Sequence, residues 1–420
     1  MPSLRYIHTA DLHLGAPFLG LAQALRTGLL AEQLRGAAFT ALDRLCALCE
    51  REKPDFLVIA GDVYNEENRS VKAQLALRDA CKRLCPLPVF LVHGNHDPLS
   101  SRFTAVRWPD NVFIFGPQPS VRSVERDGEL LALVHGVSHE RAEEPQNLSR
   151  LLARDREQND CFQLGLLHAC LDSQAARNYA PCSLADLRES GLDAWALGHI
   201  HKWGVLSKQP FVAYSGSIQG LHINETGPHG CLSVTARYDG TSWVCEHAFH
   251  ALAPVVWENV NCDLEDADRL DEADERVSAA LLAALEQTPP CCEALVARLV
   301  LKGRTRLDSL LRRSLEDLGG RFQRIADGRL WIKDICCLTL PPDEENVDRD
   351  DILGEVLRCI AEMEADPDSM RNFAATALAP LYGNKRLSET AAISEDEDLK
   401  HLLRQAGAEC VGRLLLDPAP

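Results

Sequence analysis

The sequence predicts an α/β protein in which parallel strands alternate with helices, a second sheet stacks on the first, and a small α+β domain and a helical tail follow. Three observations carry this. Apolar runs and amphipathic segments alternate over the first hundred residues; short apolar runs with few long helices continue to about residue 250; and beyond Pro341-Pro342 the apolar spacing becomes helical. A chain of 420 residues, at roughly 150 per domain, has room for two or three domains.

Leu4 to His8 reads as the first strand, and a helical pattern runs from about Ala31 to Glu52. Phe56-Leu57-Val58-Ile59-Ala60 is the second strand, about Ser70 to Leu84 the second helix, and Pro88 to Val92 the third strand. This rhythm implies parallel strands joined by right-handed crossovers, with both sheet faces covered. Val112 to Phe115, Val121 to Val124 and Leu130 to His135 come next, with Asp127-Gly128 as a hairpin turn. Runs at Phe162 to His168, Ala194 to Leu197, Phe211 to Tyr214, Cys231 to Tyr238 and Trp243 to Ala248 add strands, the mark of two stacked sheets. The first domain therefore spans 1–252. A helix at about 266 to 287, a strand at Leu295 to Leu301, a helix at about 306 to 316 and a strand at Leu330 to Leu338 form a small α+β domain over 253–341. In 342–420, Ile352, Leu353, Val356, Leu357, Ile360 and Met363 recur at helical spacing, as do the apolar residues of the last twenty.

A hydrophobic fraction of 46% and a charged fraction of 25% exclude a collagen-like, coiled-coil or disordered chain. No run of 18 apolar residues occurs, and Met1-Pro2-Ser3-Leu4-Arg5-Tyr6 lacks the order of a signal peptide, so a cytoplasmic protein without a membrane span is expected. The cysteines, in surroundings such as Leu45-Cys46-Ala47-Leu48-Cys49, read as buried free thiols. A net charge of −18 speaks against a nucleic-acid partner. The charge is uneven, however: residues 1–250 hold 24 Lys and Arg against 28 Asp and Glu, so most of the acidity lies C-terminal to them.

Polar groups gather where the strands stop: Asp11 and His13 after the first, Gly61-Asp62 after the second, Gly94-Asn95-His96-Asp97 after the third, then His168, and Gly198-His199-Ile200-His201. Ligands bind at that edge of an α/β sheet, because its loops converge there. One such cluster is an ordinary capped turn; five together offer donors for two divalent ions. Asp11, His13 and His201 could hold one ion, and Asn95, His168 and His199 the other, with the two oxygens of Asp62 bridging them. Such a bridge sets two ions about 3.5–4 Å apart, a spacing suited to in-line displacement at phosphorus by an activated water. Mixed oxygen and imidazole donors without thiolate favour manganese, with iron and zinc as alternatives. His96, not needed as a ligand, can protonate the leaving group, and Asp97 can hydrogen-bond its imidazole.

The order D-x-H, G-D, G-N-H-D, H, G-H-x-H resembles the calcineurin-like metallophosphoesterase superfamily over residues 5 to about 235. The stretches Tyr6 to Gly15, Gly61 to Asn65, Glu67 to Ser70 and Ser215 to Glu225 are similar to its DNA-repair exonuclease branch, in particular to the bacterial YhaO type related to SbcD. The resemblance implies a four-layer α/β/β/α sandwich with a dinuclear centre, and a 3′-to-5′ exonuclease with single-strand endonuclease activity as a further capacity. It also implies DNA as partner, a capping domain that positions it, C-terminal helices that dock on an SMC-like coiled-coil ATPase, and a homodimer. One position departs from it. Archaeal and eukaryotic relatives carry a histidine three residues after the bridging aspartate, near the scissile phosphate, where this chain has Asn65. A neutral amide can hydrogen-bond the substrate but brings no proton or positive charge.

His93 is expected to pack beneath the centre, His135, His139 and His222 are candidates for substrate contact, and Arg69 and Arg102 read as solvated arginines at helix starts, with phosphate contact as the alternative. Two other functions fit the same residues: a phosphodiesterase or phosphatase for nucleotides and other small phosphoesters, which would not need the last 170 residues, and an adaptor subunit of an ATPase complex.

Overall fold

The computed structural model describes residues 2–18, 29–65, 70–101, 106–158, 160–171, 178–322, 328–342 and 352–382, with short helical pieces between 399 and 407. Arg69, Arg102 and most of the final helical stretch lie outside the described residues. The chain divides into two compact units, residues 1–258 with 286–297, and residues 259–285 with 298–420.

The first unit holds two six-stranded sheets. In the first sheet β1 (Ser3–Thr9), β2 (Phe56–Ala60), β3 (Val89–Val92) and β4 (Val112–Ile114) run parallel, and later strands β11 (Gly230–Tyr238) and β12 (Trp243–Ala251) extend it antiparallel beyond β1. In the second, the order is β5 (Ser120–Arg126), β6 (Glu129–Gly136), β7 (Phe162–His168), β8 (Ala194–Gly198), β10 (Phe211–Tyr214), β9 (Gly204–Lys208). Strands β6, β7, β8 and β10 are parallel there.

Strand alternation decides the layers. Tyr6, Phe56, Val58 and Ala60 of the first sheet and Phe162, Leu164, Leu166 and Ala196 of the second form one core between the sheets. Each large apolar side chain buried there contributes roughly 1.5–3 kcal/mol. The opposite residues, Ile7, Leu57 and Ile59, pack under helices α1 (Leu29–Glu52) and α2 (Val71–Arg83), and Leu167, Trp195 and Leu197 pack with α3 (Leu184–Glu189) and a 3-10 turn at Leu148–Leu151. The result is the four-layer α/β/β/α sandwich. Helix α1 buries Leu34, Ala38, Ala41, Leu42, Leu45, Cys46 and Cys49 along one stripe, and Ser70 caps α2 by accepting from Ala73 N–H. The β5–β6 turn takes φ of 57° at Asp127 and 83° at Gly128, as a tight hairpin needs.

C-terminal to the sandwich strands, β13 (Val255–Asp263), β14 (Ala294–Lys302) and β15 (Leu330–Cys337) make a three-stranded sheet, accompanied by α4 (Leu270–Glu286). The single helix expected at about 306 to 316 is two, α5 (Asp308–Arg313) and α6 (Leu315–Phe322), interrupted at Ser314. Helices α7 (Ile352–Ala365) and α8 (Pro367–Tyr382) follow. Among the described residues no helix is long and apolar enough to cross a membrane.

Candidate metal centre

The predicted groups leave the carboxyl ends of β1, β2, β3, β7 and β8. Backbone bonds lock these ends together: Asp11 N–H donates to Gly61 O and His13 N–H to Asp62 O, both at 3.0 Å. The turns are strained. Asp11, His13, Asp62 and His199 have φ of 50°, 43°, 49° and 106°, half of the positive-φ non-glycine residues described. Such cost persists where the surrounding structure enforces it, and it gathers at functional sites.

The side chains converge in two groups around one carboxylate. His13 Nε2 lies 3.2 Å from His201 Nε2, which is 3.9 Å from Asp11 Oδ1. Asn95 Oδ1 lies 2.9 Å from His168 Nε2 and 3.1 Å from His199 Nδ1. Between them stands Asp62 Oδ2, 3.9 Å from His13 Nε2 and 3.4 Å from His168 Nε2. Donor atoms of Asp11, His13 and His201, and again of Asp11, Asp62 and His168, fall within 4.8 Å of one another, the crowding that a shared cation relieves. Glycine makes this packing possible. A Cβ on Gly94 would stand 2.3 Å from Asp62 Oδ1, and one on Gly61 2.4 Å from His168 Nδ1.

The electrostatics ask for positive charge. Burial raises Asp11 to about 6, against the pull of the His201 charge, and it lifts Asp62 well above the ordinary carboxylate range with added repulsion from Asp11 and Asp97. Among the described residues neither has a lysine or arginine partner. Burial also lowers His13 to about 3 and His199 to about 4, and it takes His168 well below the usual range. Buried carboxylates and neutral imidazoles are the donor set that divalent ions fit. His201 differs: burial opposes its charge, but the Glu225 bond and the charges of Asp11 and Glu225 outweigh that and raise its pKa.

His96 is exposed beside this buried set. Its backbone N–H donates to Asp62 Oδ1 at 2.9 Å, and its ring meets that of His13 edge-on at 5.1 Å. Fully buried Asp97 accepts from Val63 N–H and Gly94 N–H and lies 3.2 Å from His93 Nδ1, so it braces the loops that carry Asp62 and Asn95. Asn65, expected at the substrate, bonds His13, its Oδ1 2.5 Å from His13 Nδ1. His135 and His139 are buried, His135 on Gln163 and His139 on the carbonyl of His168, so neither reaches substrate. His222 is partly exposed, 3.2 Å from Glu225. Two residues to which the sequence assigned no role join the site. Glu225 accepts from His201 Nδ1 at 2.6 Å, and half-buried Tyr179 sets its ring 5.3 Å from that of His199. Glu225 lies 24 residues beyond His201, and no spacing rule links the two.

Seven donors at parallel strand ends, a shared carboxylate and an adjacent exposed histidine define a dinuclear metal-dependent phosphoesterase class. Residues 4–203 match the calcineurin-like phosphoesterase family, and residues 257–339 match the middle domain of metallophosphoesterase YhaO. The chain is 35% identical over 309 residues to the Bacillus subtilis (strain 168) protein named "Uncharacterized metallophosphoesterase YhaO", covering 72% of each. Among solved structures, a dimetal phosphatase from Danio rerio is 15% identical with a TM-score of 0.33, over 59% of this chain and 96% of that one. The protein TT1561 of Thermus thermophilus is 11% identical with a TM-score of 0.30, over 58% of this chain and 98% of that one. The chain belongs to the calcineurin-like metallophosphoesterase family, with the YhaO middle domain following its phosphoesterase domain.

Proposed function

We propose that the protein is a metal-dependent phosphodiesterase acting on DNA, a 3′-to-5′ exonuclease with single-strand endonuclease activity as a further capacity. The observation that carries the phosphoester chemistry is the convergence of Asp11, His13, His168, His199, His201 and Asn95 on Asp62, with His96 exposed at their edge. Two divalent ions, manganese first among the candidates, supply charge for the non-bridging oxygens and activate water when bound. The chain does the rest. Asp62 keeps the two donor groups in register, and His96 stands where a solvent-exchanged proton can pass to the leaving oxygen. Buried Asp97 holds the loops on either side of that histidine.

Two features support DNA over a small diester. The chain continues into a YhaO middle domain and a helical region, which would position DNA and dock an SMC-like coiled-coil ATPase. Trp203, two residues after His201, remains 37% exposed while its ring stacks on Phe249 at 4.8 Å and 12°, an aromatic plane of the kind on which unpaired bases stack. A second reading, hydrolysis of small phosphoesters, is favoured by the slight negative balance of residues 1–250, which leaves no broad basic face for a phosphate backbone.

Manganese-dependent hydrolysis of end-labelled single- and double-stranded DNA, beside a small chromogenic phosphodiester and with His96→Ala as blank, separates the readings. Stepwise release from the 3′ end, absent in the variant, is the expected result. Turnover of the small diester with DNA intact, alone and with the partner ATPase added, overturns the nuclease reading.

A further inference from the structure

A histidine that binds a metal through one ring nitrogen needs a partner for the other, because that second bond sets its tautomer and ring plane. The two halves of this centre meet the need differently. Fully buried His168 has Nδ1 2.9 Å from the carbonyl oxygen of Ala60, a backbone group inside β2. His13 and His201 are held by side chains, the carboxamide of Asn65 at 2.5 Å and the carboxylate of Glu225 at 2.6 Å. His201 is more open than its fellow ligand His13, its side chain 27% exposed against 3%, while in the other group His168 is fully buried and Asn95 and His199 are partly exposed.

Glu225 is itself built in. Its Oε2 accepts from Leu221 N–H at 2.6 Å, and its backbone carbonyl lies 3.2 Å from His229 Nε2. His229 Nδ1 lies 2.8 Å from Ser217 Oγ, and Ser217 N–H donates to the carbonyl of His201 at 3.0 Å. The segment from Ser217 to His229 thus grips His201 twice, by its backbone and by its ring.

We propose that Glu225 is a positioning residue that holds His201 as a ligand, and that the ion of Asp11, His13 and His201 is consequently the exchangeable one of the pair. The ion of Asn95, His168 and His199 is the resident one, its most buried ligand fixed by main chain. This rests on the dinuclear reading above. Loss of such a second-layer partner costs about 10–100-fold in metal affinity, and here the loss falls on one ion only.

The test equilibrates full-length protein with manganese at fixed free concentrations and counts bound ions. Wild type is expected to hold two. Glu225→Ala should hold one and need about 10–100-fold more free manganese for the second. Glu225→Gln, which keeps an oxygen acceptor for Nδ1–H, should recover most of the affinity. In the metal-free protein, the 15N shifts of the His201 ring should report the lost tautomer preference in Glu225→Ala alone. If Glu225→Ala fails to fold, Asn65→Ala tests the same asymmetry through His13. Two ions held with unchanged affinity, or both lost together, overturn the proposal. A wild-type chain that takes up no metal at all removes the dinuclear reading instead, and the proposal with it.

Discussion

Replacing Asp11 by Asn should make the metal-free protein more stable while abolishing its activity. Asp11 is fully buried, and in the absence of cations its carboxyl is raised from 3.8 to about 6. A raised carboxylate destabilises the fold once ionised: between about pH 4 and 6 the native state holds a proton that the unfolded chain has released, so stability falls as pH rises through that window. A rise of that size corresponds to roughly 3 kcal/mol at about pH 7. Asn has nearly the same shape and no charge to lose. In chelator, Asp11→Asn should therefore unfold later than wild type by roughly 5 °C at about pH 8, given the few degrees per kcal/mol expected for a unit of this size. The gain should shrink on acidification through the raised value of about 6 and vanish near the ordinary one of 3.8. With manganese added, the order should reverse, because only wild type keeps both donor groups. Thermal melts across this pH range, with chelator and with manganese, check this. A variant less stable than wild type in mild alkali without metal, or a gain that ignores pH, would refute the account of the charge.

His96→Ala should keep two ions by metal analysis while turnover falls about 10²–10⁴-fold, the usual worth of a general acid; Asp62→Ala should lose metal and activity together. Gly94→Ala, whose new Cβ would stand 2.3 Å from Asp62 Oδ1, should displace the shared carboxylate, lower metal occupancy and cost about 1–3 kcal/mol in a denaturant melt. Trp203→Ala should raise the KM for single-stranded DNA roughly tenfold, as loss of one stacked base predicts, with a smaller effect on a small diester. Deleting residues 345–420 should leave hydrolysis of the small diester in place, and a dead enzyme would put the tail inside the catalytic unit.

The sequence by itself determined the alternation of β1, α1, β2, α2 and β3, because periods of 3.6 and 2 residues are written in consecutive residues. It also marked every candidate ligand, since five clusters of metal-binding side chains, each directly after an apolar strand, exceed what capped turns require. It missed β9, α3 and the break at Ser314, which are short and carry too few apolar residues for a period to show, and it missed the nine-residue β13, which begins just past the boundary expected at 252. Only the tertiary structure decided what each histidine does. His8, His93, His135 and His139 sit near the same strand ends as His13 and His168, yet they bond carbonyls, Gln163 or Asp97 within the scaffold. Tertiary contacts likewise made Asp97 a brace of the loops that carry Asp62 and Asn95, put the Asn65 carboxamide on His13, and made Glu225, a loop residue to which the sequence assigned no role, the holder of His201. A ring nitrogen takes its role from whatever lies within about 3 Å of it, and in this fold that neighbour stands anywhere from 2 to 189 residues away in the chain.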